Sequence, residues 1–97
     1  MYKILFFIHK PVDEKILKHF RGRTLKLLSE LTGKEILLAE VESNLLIDRK
    51  YSYYCEVEME SKEDMDRIMN SKSGLELSKD LMDFHQFITV INVNYNN

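Results

Sequence analysis

The run Ile4-Leu5-Phe6-Phe7-Ile8 constrains this chain more than any other stretch. Successive strand side chains point to opposite faces of a sheet. As a strand, Ile4, Phe6 and Ile8 face one way and Leu5 and Phe7 face the other, so both faces are apolar. A chain of 97 residues is one domain, with helices enough to cover one side of a sheet. The other side needs a different cover, and a second copy of the chain is the economical one.

The rest of the chain reads as alternating elements. Residues 2–10 form strand one, and Pro11 ends it by removing a backbone donor. Asp13 is the expected N-cap of a helix whose apolar stripe is Ile16, Leu17, Phe20, Leu27, Leu28 and Leu31. Gly33 is its expected stop, and Gly22, inside it, predicts a kink near Arg21-Gly22-Arg23. Ile36–Val41 reads as strand two. Ser43-Asn44 and Asp48-Arg49-Lys50 are turn-like, and Leu45-Leu46-Ile47 between them is expected as an arm packed on a partner chain. Tyr51–Met59 alternates as strand three, with Tyr51, Tyr53, Cys55, Val57 and Met59 on the apolar side. Ser61 to Asp64 resembles a capping box, Ser71 to Gly74 interrupts the helical pattern, and Leu77, Leu81 and Phe84 resume it. Phe87–Tyr95 is strand four. With right-handed crossovers this order gives an α+β, ferredoxin-like βαββαβ fold. It is a four-stranded antiparallel sheet with helices on one face, a single domain over residues 1–97, pairing as a dimeric α/β barrel.

Composition excludes some functions. Fourteen basic residues against sixteen acidic ones give a net charge of -2, which lacks the basic footprint of a nucleic-acid binder. No apolar run approaches a membrane span, and the first residues lack the order of a secretory signal. The single Cys55 offers neither a disulfide nor a metal pair and reads as a small buried hydrophobe, which points to a cytoplasmic protein. No metal or cofactor motif is present, so none is expected.

The segment Ser61 to Phe84 resembles the second half of EthD-like proteins of the dimeric α/β-barrel superfamily. The features that carry the resemblance are Ser71 and Gly74 of a Ser-x-x-Gly break, then Asp80, Leu81 and Phe84 of an Asp-Leu-x-x-Phe segment. The Pro-Val-Asp entry into helix one agrees in layout. Such proteins usually carry a histidine in helix one. Aligned through Phe20 and Gly33, that position holds Thr24 here, and Lys26 stands where a proline would be. The resemblance implies a homodimer that binds or transforms a small apolar or aromatic molecule in a cleft between helix one and the sheet. The alternative is a non-catalytic homodimeric module that has lost the helix-one histidine. Activities on this fold include oxidation, cyclisation, dehydration and isomerisation of small molecules, and none is carried over by residue identity.

The candidate residues follow. Thr24 lies near the centre of the apolar stripe, where its hydroxyl either returns to the Phe20 carbonyl or lines a pocket. His9 and His85 stand near element ends and are the candidate acid–base groups, unless they are merely structural. His19 falls off the apolar stripe and reads as a surface or hydrogen-bonded structural residue. Arg23, Tyr53 and Tyr54 are the candidate ligand-binding residues. Glu56, Glu58 and Glu60 share a face, with Lys3 as the expected cross-strand partner.

Overall fold

The computed structural model describes residues 1–45 and 50–95. Strands β1 (Tyr2–His9), β2 (Ala39–Glu40), β3 (Tyr51–Met59) and β4 (Ile88–Asn94) form one antiparallel sheet in the order β2-β3-β1-β4. The helical segments are α1 (Glu14–His19), a π-helical turn (Phe20–Thr24), α2 (Leu25–Thr32), α3 (Lys62–Met69) and α4 (Lys72–Asp83). This is the expected ferredoxin-like arrangement.

The two-sided β1 takes the central place, paired to β3 on one side and β4 on the other. Ile4, Phe6 and Ile8 are buried with Phe20, Leu27, Leu28, Cys55, Val57, Leu77 and Ile88 in one core. Each such side chain contributes about 1.5–3 kcal/mol by leaving water. On the opposite side, Leu5 and Phe7 are half-buried, and Ile91 of β4 beside Leu5 is exposed. No described helix covers that face.

Local chemistry sets the element ends. Asp13 caps α1 by accepting the Lys15 N–H at 2.7 Å. Ser61 caps α3 through the Asp64 N–H, and Ser71 caps α4 through the Gly74 N–H. Gly33 ends α2 at φ 68°, where a side chain would be strained. Gly74 is required by space: a Cβ there would lie 2.3 Å from the Ile68 carbonyl oxygen. The kink expected around Gly22 is the π-helical turn itself, closed by the Leu25 N–H donating to the Phe20 carbonyl.

Two expectations change. Strand two is shorter than Ile36–Val41, because Ile36 and Leu38 turn to pack on the core and only Ala39 and Glu40 pair with β3. Tyr51 does not share a face with Tyr53. The pairing shifts between Ile8 and His9, so Ile8 meets Tyr53 while His9 meets Tyr51. Ser52 is the extra residue of this bulge, buried, and its hydroxyl lies 3.1 Å from the Ile8 carbonyl oxygen and 3.3 Å from that of His9. Of the apolar arm, Leu45 is exposed and Leu46-Ile47 lies outside the described residues, as do Asp48 and Arg49. The chain is held on either side of this segment by Asn44, whose amide donates to the Tyr51 carbonyl and accepts the Tyr51 N–H.

Cys55 is buried, and that burial pushes its thiol up to about 12, with the nearby Glu56 carboxylate adding to the effect. An unfolded thiol ionises near 8.5. The folded state therefore holds the proton more tightly, and the stability this confers is intact below the unfolded value and lost as pH rises toward the folded one. Urea unfolding at pH 7 and pH 10.5 should show wild type losing about 2 kcal/mol more between the two than Cys55→Val does. Equal losses would mean that the thiol does not titrate as an enclosed group.

Candidate functional site

Two clusters of polar side chains lie on opposite sides of the sheet. The first sits in the seam between the first helix and α4. Asp80 of α4 is almost enclosed, its side chain 9% exposed. A carboxylate held out of water needs a donor on each oxygen. The Thr24 hydroxyl donates to Oδ2 at 2.6 Å, and His19 Nε2 lies 2.6 Å from Oδ1. An ionised carboxylate only accepts, so Nε2 carries the hydrogen and Nδ1 is left as the basic nitrogen. Nδ1 makes no hydrogen bond among the described residues. The imidazole is stacked on the Phe84 ring with centroids 4.1 Å apart, and its side chain is 32% exposed. One turn back along α4, Glu76 meets Arg23 at 3.6 Å.

The π-helical turn makes this seam possible. In a regular α-helix, residues five apart point about 140° away from each other. Hydrogen bonds from i to i+5 bring such residues nearly over one another. His19 and Thr24 bracket the turn and therefore reach the same carboxylate.

The second cluster lies on the uncovered sheet face. Phe7 packs against Tyr51 and Tyr54, with centroids 4.6 and 5.0 Å away. Tyr54 donates a short hydrogen bond to Glu56. Lys3 reaches Glu56 at 3.2 Å and Glu58 at 3.4 Å, the cross-strand partnership the sequence predicts. The Tyr54 phenol is raised above its ordinary range, first by desolvation and then by the Glu56 carboxylate that accepts its hydrogen. Glu56 is held below the usual carboxylate range by the Tyr54 hydrogen bond and by Lys3.

The residues singled out from the sequence are thus dispersed. Thr24 is 1% exposed and bonds to Asp80 rather than to the Phe20 carbonyl. It is enclosed and does not line an open cleft between helix one and the sheet. His9 lies on the uncovered face with both ring nitrogens engaged: Nδ1 donates to the Gln86 carbonyl at 3.3 Å, and Nε2 accepts from the Thr89 hydroxyl at 2.6 Å. His85 is exposed, its Nδ1 donating to the Met82 carbonyl at 2.8 Å. It stands at the rim of a groove of about 380 Å³ between α4 and β4, walled by Leu81, Met82, Ile88 and Val90. Tyr54 faces the uncovered side, while Tyr53 faces the helices with the Arg21 guanidinium 5.6 Å from its ring centre. The two tyrosines therefore cannot wall one cavity within a single chain. Arg23 is exposed and paired to Glu76.

Sequence reasoning passed over His19 and Asp80. His19 is off the stripe only if helix one is α-helical throughout, and Gly22 was the available sign that it is not. Asp80 and Phe84 belong to the segment that carried the family resemblance, and both touch His19.

No family model matches the chain, and no curated protein matches it. Solved structures do. An EthD family protein from Bacillus halodurans superposes with a TM-score of 0.80 at 18% identity, covering 99% of each chain. The chain has the EthD-like fold. A dimeric ferredoxin-like protein of unknown function from Jannaschia covers 98% of this chain and 100% of its own at 12% identity, with a TM-score of 0.72. Hydroxynitrile lyase from Passiflora edulis covers 99% and 93% at 19% identity, with a TM-score of 0.69. The solved structures that share the fold thus include an enzyme and a protein of unknown function.

Because Thr24 donates to a charged acceptor, its hydroxyl should be worth more than an ordinary core hydroxyl. Thr24→Val should cost about 1.5–3 kcal/mol in chemical denaturation, against about 1 kcal/mol for a bond to a backbone carbonyl. Combined with Asp80→Asn the losses should fall short of additive, since both remove the same interaction. Full additivity would show that Thr24 and Asp80 act separately.

Proposed function

We propose that two copies of this chain pair through their uncovered sheet faces and hold a small apolar or aromatic molecule between them. The observation that carries this reading is the aromatic group Phe7, Tyr51 and Tyr54 on a sheet face that no described helix covers. Aromatic walls bearing a few placed polar groups are the ordinary make-up of a small-molecule site. The Tyr54 phenol, Glu56 and Lys3 supply those polar groups here. Enclosed between two sheets, they would act on a ligand in a low-dielectric space, where hydrogen bonds orient strongly.

The neighbouring folds support this placement by analogy. The Jannaschia protein is described as dimeric and ferredoxin-like, and the Passiflora protein is a hydroxynitrile lyase. The enclosure of Thr24 moves the proposed ligand from the seam beneath helix one to the far side of the sheet. That same enclosure favours a second reading, a homodimer with no ligand at all, in which the position aligned with the family histidine serves only packing.

Sedimentation at micromolar concentration should give twice the chain mass of 11.6 kDa for wild type and a folded monomer for Phe7→Asp. A folded wild-type monomer would defeat the pairing. Thermal-shift measurement with substituted phenols should raise the wild-type melting temperature and leave Tyr54→Phe, still dimeric, shifted less. A dimer indifferent to every phenol tried would favour the ligand-free reading.

A further inference from the structure

We infer that His19 is a general base, held and oriented by Asp80, that removes a proton from a small neutral carbon acid. This does not rest on dimerisation or on a ligand at the sheet face, because His19 lies in the helix seam on the other side.

Four features carry the inference. Asp80 is almost enclosed, with Thr24 on one oxygen and His19 on the other. A carboxylate bonded to one ring nitrogen fixes the tautomer, leaves the other nitrogen basic, and stabilises the imidazolium once a proton arrives. The Phe84 ring lies against the imidazole and sets its plane. The side chain is nevertheless a third exposed, so a small molecule can reach it. The unusual π-helical turn, which brings His19 and Thr24 to a common acceptor, is a geometry that recurs at functional sites.

The surroundings indicate the substrate class. Asp80 is the titratable group that touches His19, and the next charges along the seam, Arg23 and Glu76, neutralise each other. Among these groups no unpaired cation stands ready for an anionic substrate. The Phe84 ring covers one face of the imidazole, so a substrate meets the base on another side. In the step proposed, the C–H proton passes to Nδ1, giving imidazolium. The electron pair of that bond moves into the substrate and is taken up by an adjacent electron-poor group or by a departing oxygen. His19 is the catalytic residue, Asp80 a positioning residue, and Thr24 holds Asp80 in place.

The elimination of 5-nitrobenzisoxazole isolates this step. The base takes the carbon-bound proton, its electron pair completes a nitrile, and the N–O bond breaks to release a coloured phenolate. Wild type should exceed free imidazole of equal concentration by at least about tenfold. His19→Gln should return to the rate of free solution, and Lys62→Gln, which alters an exposed residue on α3, should keep the wild-type rate. Asp80→Asn should lower kcat while leaving KM little changed, since the group that orients the imidazole is gone. A wild-type rate no greater than that of imidazole, or an unchanged rate in His19→Gln, would overturn the proposal. Should His19→Gln not fold, nitrogen NMR of wild type at pH 8 decides the matter. The hydrogen on Nε2 is expected, and a hydrogen on Nδ1 would overturn the assignment.

Discussion

A carboxylate kept out of water must find a donor for each oxygen, and Asp80 imposes that demand on the helical layer. Its donors come from the first helix, so the lie of that helix against α4 is set at one point by two short hydrogen bonds. An undistorted helix would turn His19 away from Thr24, and one oxygen would lose its partner. The π-helical turn answers this need. Gly22 stands exposed at its middle, and a Cβ there would meet nothing within 4 Å, so the turn does not depend on glycine for space. The helix above and the buried core below are therefore coupled: Phe20 and Thr24, both in the turn, are enclosed together.

Much of the fold was legible because the sequence states it locally. The alternation of β1, the caps at Asp13, Ser61 and Ser71, and the stop at Gly33 each follow from a single residue type in a single position. The misplacement of Tyr51 has a different origin. A period of two, read along β3, cannot register an inserted residue, and only the pairing with β1 reveals that Ser52 is one too many. Strand two was overlong for a similar reason. Ile36 and Leu38 are apolar, but they are spent on the core rather than on a ladder.

The seam was less legible than the fold. Helical wheels assume a fixed rotation per residue, and that assumption fails between His19 and Thr24. A histidine judged peripheral on the wheel proves to be the partner of a buried acid. The departure from the EthD-like pattern at position 24 also acquires a physical content. A threonine hydroxyl fits the space beside Asp80 and satisfies it, and the imidazole that completes the carboxylate comes from one wide turn earlier in the chain.

Asn44 has a meaning beyond local bonding. Its amide presents a donor and an acceptor to the N–H and carbonyl of Tyr51, as a neighbouring peptide would. One side chain thus stands in for a stretch of missing strand at the margin of the sheet. The start of β3 is registered by that side chain together with the Lys10 N–H on the Lys50 carbonyl and the Val41 N–H on the Ser52 carbonyl. Loop-closure entropy grows only slowly with length. The connection between residues 44 and 51 is consequently a natural site for grafting foreign sequence, because the element it feeds carries its own alignment.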